Sequence, residues 1–249
     1  MSFNDEDFIN LLEYYRNQDN FHKKSKIPFD NLDNISKSGD DNHFIENRDI
    51  FMFNFDNLCF NANLRNNGKP INKSLPATCD ALCFDDKKCI LYFFEFKNLP
   101  LNSIDYKYEL KSIIETLESE YNIDKQIILG LNRIYGRFED EIICKLKTKT
   151  NDSLFFSLPL IYRKYCEKFD LDFNKYSKDF ILWLLNSEKK FIFVFADNDN
   201  ISPLSHHISF DIKLKDKLKH FESVSNIKTM VVTKKDFENN FLHNISDNS

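Results

Sequence analysis

Apolar residues recur at helical spacing near the start of the chain, where Phe8, Leu11, Leu12 and Tyr15 predict an amphipathic helix over residues 5–17. A polar stretch follows from about Asn17 to Asn42 and reads as loop. From Phe44 to Leu64 the aromatic-rich text supports one or two strands, or a short helix plus a strand, and periodicity alone does not separate them. The next pattern is sharper. Residues 77–84 and 88–97 form two extended runs around Asp85, Asp86 and Lys87, and the second run is apolar on both faces, as an interior strand should be.

Helical patterns then dominate. Asn102 or Ser103 can cap a helix whose face carries Ile104, Tyr108, Leu110, Ile113, Ile114, Leu117 and Tyr121. A second helix is expected from about Lys125 to Lys147, although Gly130 and Gly136 each cost roughly 1 kcal/mol there. Further helices are expected over 154–168 and 177–187, a strand in KFIFVFA, a helix over 213–222 and a strand in IKTMVV. Thr233 and Asp236 have the spacing of a helix-capping pair. The chain thus mixes helices and strands, with a helix-rich block between the hairpin and the next strand.

The interior strand carries an anomaly. Alternation puts Glu95 and Lys97 on one face, about 6 to 7 Å apart along the backbone. An even-length hairpin loop centred on Asp86 and Lys87, or one position further on, sets Asp80 opposite Phe93 or Glu95 on that same face. Two carboxylates and an ammonium at the end of an apolar strand need mutual pairing, water or a cation. Asp80 and Glu95 suit a hard divalent metal such as Mg²⁺ or Mn²⁺, and Lys97 can orient or help deprotonate a water and stabilise charge at phosphorus.

LPATCDALCF followed by YFFEFKN resembles the restriction-endonuclease-like PD-(D/E)XK nucleases over roughly residues 74–121. The resemblance implies an α/β fold, a mixed sheet flanked by helices, in one nuclease-like domain. Its core hairpin and helix span 74–121, a helical insertion about 122–188, and C-terminal strands and helices 189–245. It also implies metal-dependent phosphodiester hydrolysis, with Asp80 and Glu95 as metal ligands, Lys97 as the lysine of the motif, and DNA rather than RNA as substrate. A homodimer fits such a nuclease. Cys79 stands where the motif has Pro. Glu13 and Glu46 are candidates for an additional upstream acid, and Lys107 and Lys111 for phosphate contacts. The alternative is a catalytically inactive nuclease-like module for binding or assembly in a nucleic-acid or defence complex.

Composition narrows the remaining possibilities. A hydrophobic fraction of 42% and 26 Phe supply a real core, and the net charge of −5 confines any polyanion site to a local patch. No apolar run approaches the length of a membrane span, and the acidic start lacks the form of a signal peptide, so a cytoplasmic protein without a membrane partner is expected. The six cysteines then read as reduced and buried. The basic runs KLKTKT and KLKDKLKH read as solvated helix faces, with a grip on a phosphate backbone as the alternative, and DNDN at 197–200 as a strand-end turn. Only four glycines occur, and Gly-rich phosphate loops, GxSxG and HExxH are absent.

Overall fold

Strand β6 (Ile90–Pro100) is buried on both sides because its two side-chain rows meet separate helical layers. The computed structural model describes residues 3–17, 27–38, 42–65, 67, 69–71, 74–100, 116, 125–197 and 204–242. Among them, β1 (Phe29–Asn31), β4 (Phe51–Asn54), β5 (Ala81–Asp85), β6, β7 (Glu188–Ala196) and β8 (Ile227–Thr233) form a sheet in the order β1-β4-β5-β6-β7-β8. Pairing is antiparallel from β1 through β6 and parallel from β6 through β8. The fold is therefore α/β, with a six-stranded mixed sheet flanked by helices. A small ribbon, β2 (Lys37–Ser38) with β3 (Asn42–His43), lies apart.

One row of β6 packs Leu91 and Phe93 beside Phe191 and Phe193 of β7, and the Phe93 and Phe191 rings stack at 4.3 Å. The opposite row packs Ile90, Tyr92, Phe94 and Phe96 with Ile192, Val194 and Phe237. Burying each phenylalanine stabilises the fold by about 2 to 3 kcal/mol, so the sheet centre is its anchor.

The helices follow from caps and spacing. In α1 (Asp5–Arg16), Asn4 and Asp7 close a capping box, and Phe8, Leu11, Leu12 and Tyr15 are buried. The stretch expected as loop instead contains β1 and a short helix, α2 (Leu32–Ile35). Asn31 caps it and Leu32 anchors it, so burial overrides the polar composition. The ambiguous aromatic segment resolves into β4 followed by α3 (Phe55–Ala62), capped by Asn54.

Parallel neighbours require a crossover, and residues 125–186 lie within the one that joins β6 to β7. Its helices are α4 (Lys125–Asp152), α5 (Leu158–Lys168) and α6 (Phe173–Asn186). Helix α4 passes through Gly130 and Gly136 and runs beyond the expected end at Lys147. A π-helical turn, Ser153–Ser157, joins it to α5, and there the Leu158 N–H bonds five residues back to Ser153. Pro159 explains the irregularity, because it has no N–H with which to continue the α ladder.

Beyond β7, α7 (Leu204–Ser225) is longer than the 213–222 pattern suggests. The last helix, α8 (Lys234–Asn240), is capped by Thr233, whose hydroxyl accepts from Asp236 N. Asp197, in the strand-end turn expected there, also serves this helix by accepting from Lys235 N. Residues 102–115 and 117–121 of the helix expected after the hairpin, including Lys107 and Lys111, lie outside the described residues, as do 198–200.

Candidate active site at the β5–β6 hairpin

The hairpin turn fixes the site's register. Residues 86–89 turn the chain, Lys88 N donates to Asp85 Oδ1, and Cys89 takes a left-handed backbone conformation with φ 54°. Asp85 pairs with Ile90 and Ala81 with Phe94, so Asp80 falls opposite Glu95. Of the two expected alignments this is the one centred a position further along.

Asp80 is held at three points. Its N–H donates to Phe94 O at 2.9 Å, its carbonyl accepts from Phe55 N at 3.0 Å, and its Oδ2 accepts from Phe96 N at 2.7 Å. The carboxylate thus takes an acceptor's place at the end of the β5–β6 ladder. Just before it, Ala77 N donates to Asp152 Oδ2 and Cys79 N to Ser153 Oγ, so the junction of α4 with the π turn grips the segment leading into Asp80.

Glu95 is fully buried. Its carboxylate is ion-paired with Lys97, and Lys149 Nζ stands 2.8 Å from each of its oxygens. Lys149 Nζ also lies 3.3 Å from Asp80 Oδ1, so one ammonium bridges the two carboxylates. Burial, reinforced by Asp80, raises the Glu95 pKa to about 7 even though Lys149 and Lys97 oppose the shift. Burial alone would lower Lys149, but Asp80 and Glu95 outweigh it and hold the ammonium well above the ordinary lysine range.

Lys149 was missed because KLKTKT resembles a solvent-facing charge run. The observed helix corrects that reading. Leu146, Thr150 and Ser153 are fully buried, so Lys149 lies on the edge of the stripe that meets the sheet. The spacing of Leu146, Lys149 and Ser153, steps of three and four, was the available signal.

Two cavities border the charged group, one on the side of Asp80 and one on the side of Glu95. A cleft of about 540 Å³ is lined by Glu95, Lys97 and Lys149 and by apolar surface from Ala77, Ile142 and Leu146. A second cavity of about 360 Å³ has polar walls and reaches Asp80, Asp56, Asn54 and Lys37. Asp56, in the first turn of α3, accepts from the Thr78 hydroxyl. Asp56 lies in the aromatic segment that periodicity left unresolved, so its nearness to Asp80 was invisible before folding.

The two upstream acids do not join this group. Glu13 is exposed on α1, which packs through Phe8 onto Phe84 near the turn end of the hairpin. Glu46 is exposed and lies near Glu238 of α8, whose pKa is raised by burial with Asp197 and Glu46 adding to it. Phe237 of the same helix packs on Phe94 and Phe96, the sheet face opposite Glu95. Among the described residues, no three His, Cys, Asp or Glu side chains form a metal-ligand cluster.

Cys79, at the motif's Pro position, is a buried thiol pushed up by burial and by Glu95. All six cysteines are free of disulfides; Cys59, Cys79 and Cys166 are buried, but Cys89 and Cys144 are exposed, contrary to expectation. Cys89 lies in the tight turn, where no core is available, and Cys144 on α4 borders the open cleft beside Glu95 and Lys97. No described helix is long and apolar enough to cross a membrane. Comparison with family models, curated proteins and solved structures finds no match to the chain.

Proposed function

We propose that the protein is a divalent-metal-dependent nuclease of the restriction-endonuclease-like PD-(D/E)XK type, acting on nucleic acid, with DNA as the first polymer to test. The observation that carries this reading is Asp80 opposite a fully buried Glu95, with Lys97 two residues on, beside a cleft. Burying a carboxylate next to another is costly, and a purely structural strand end would be cheaper with apolar residues.

The residues fit a hard cation. Asp80 and Glu95 offer oxygen donors, and Lys149 Nζ within reach of both carboxylates is in keeping with a place for positive charge between them. Mg²⁺ or Mn²⁺, when held by these carboxylates, supplies Lewis acidity and charge neutralisation at the phosphate. Lys97 is tethered by Glu95 and its side chain is 34% exposed. From there it orients a water for attack and stabilises negative charge developing on the phosphate oxygens. Phe96 N holds Asp80 in place, and the buried packing around Glu95 limits its movement.

The test is cleavage of single- and double-stranded DNA and RNA by pure protein with Mg²⁺ or Mn²⁺. Asp80→Asn, Glu95→Gln and Lys97→Met should each abolish turnover while leaving the fold intact by circular dichroism. Undiminished cleavage by these variants would sink the assignment.

One observation favours the second reading, a nuclease-like binding or assembly module. Lys97 and Lys149 already balance Asp80 and Glu95 without a metal. Thermal unfolding with Mn²⁺ separates the two: a true metal site stabilises wild type by mass action and loses that effect in Asp80→Ala/Glu95→Ala. A module whose carboxylates serve only Lys149 shows no Mn²⁺ shift in either protein.

A further inference from the structure

Lys149 has two environments within reach. Its ammonium bridges Asp80 and Glu95, yet its side chain is 24% exposed and borders the same cleft as Lys97. The backbone beneath it is fixed, because Leu146, Thr150 and Ser153 on either side are fully buried. Only the flexible four-carbon stem needs to move for the charge to change partners.

Charge balance supplies the reason for such a move. Two carboxylates face two ammoniums, so a divalent cation entering between Asp80 and Glu95 would crowd Lys149 with like charge and remove its partners. A phosphodiester in the cleft offers Lys149 a replacement anion. Lysine serves well in that role, as a compact point charge with three donors.

We propose that Lys149 is a phosphate-binding residue held by Asp80 and Glu95 until nucleic acid fills the cleft, so that phosphate and the divalent cation bind with positive coupling. The inference rests on the nuclease reading for its metal and its polymer. It adds a ligand contact outside the Asp80, Glu95 and Lys97 set, and an order of assembly: a cation alone binds weakly, and the substrate's phosphate opens the carboxylates to it. By linkage, Mn²⁺ must tighten nucleic acid by the same factor by which nucleic acid tightens Mn²⁺.

The experiment measures Mn²⁺ affinity from the electron paramagnetic resonance of free Mn²⁺, with and without a short phosphorothioate oligothymidylate that resists hydrolysis. A methylphosphonate oligomer of the same length is the uncharged control. In wild type the charged oligomer should tighten Mn²⁺ about tenfold, within the usual range of allosteric coupling, and the uncharged one should not. Lys149→Met should bind Mn²⁺ without oligomer about as tightly as wild type does with it, and should show no further tightening. Lys149→Gln, which keeps hydrogen bonding without charge, should behave the same way and guards against a folding defect in the first variant.

Coupling that survives in both Lys149 variants, or equal tightening by the uncharged oligomer, would overturn the proposal. Absence of Mn²⁺ binding in wild type and variants would overturn it too, and with it the metal site. Mn²⁺ binding retained in Asp80→Asn/Glu95→Gln would likewise remove both, since the cation would then lie elsewhere. If binding is lost in that double variant while Lys149 variants match wild type, the metal site stands and the role of Lys149 fails. Coupling that disappears with Lys149, in a protein that never cleaves, supports the phosphate role and removes only hydrolysis.

Discussion

Among the described residues, two charged side chains are fully buried, Glu95 on β6 and Lys189 on β7, and they are accommodated in opposite ways. Lys189 donates to the main-chain carbonyls of Leu184, Leu185 and Ser187, at and just past the end of α6. These carbonyls lack helical partners, and the helix end carries partial negative charge, so the ammonium closes a helix terminus. Glu95 instead meets the partly exposed side chains of Lys97 and Lys149 and lies near a second carboxylate beside a cleft. A charge satisfied by main chain is a structural fastening. One satisfied by side chains that can change partner is available for chemistry.

Substitution should break this comparison most visibly through activity. On the proposed nuclease reading, Glu95→Ala is expected to lower metal-dependent cleavage at least about a thousandfold, equivalent to roughly 4 kcal/mol of transition-state stabilisation, in initial-rate assays. Lys189→Ala should leave the cleavage chemistry of folded protein intact. It should instead cost about 3 kcal/mol of stability in urea unfolding, since it strips a buried hydrogen-bonded cap and leaves a void. A Lys189 variant with normal stability would show that the helix end has another partner.

pH sharpens the contrast because the two shifts run in opposite senses. Burial raises Glu95 from 4.5 to about 7, so folding favours its protonated form. That contribution is fully present below about pH 4.5 and is lost as pH rises through 7. Glu95→Gln should flatten the slope between those values in pH-dependent denaturation. Burial lowers Lys189 from 10.5 to about 8, so folding favours its neutral form. Its contribution is present above about pH 10.5 and lost as pH falls through 8. Lys189→Met should therefore flatten only the alkaline window. The smallest effects belong to the exposed acids: Glu13→Gln and Glu46→Gln should change stability by no more than about 0.5 kcal/mol and leave cleavage unchanged.

Legibility followed the distance over which each feature is decided. That Asp80 shares a face with Glu95 and Lys97 could be read because strand side chains alternate with period two and a short hairpin fixes their parity, while the choice of Glu95 over Phe93 as its partner could not. The two-sided burial of β6 was visible in its unbroken apolar run, and the Thr233 cap in its spacing to Asp236. Asp56 and Lys149 escaped for a different reason. Asp56 meets Thr78 across 22 residues and Lys149 meets Glu95 across 54, so neither neighbourhood is encoded by local period or spacing.

Local pattern was enough for the apolar strands, the helix start at Thr233 and the face shared by Asp80, Glu95 and Lys97, because steric alternation and capping act between near neighbours. Packing over long range set the rest: Lys149 bridges the carboxylates, Glu13 and Glu46 stay away, and Lys189 closes a helix end. A charged side chain on an amphipathic boundary can remain in water or enter a pair. Packing of the crossover against the sheet selects between them, because it sets how much solvent each charge loses and which opposite dipole or charge it gains.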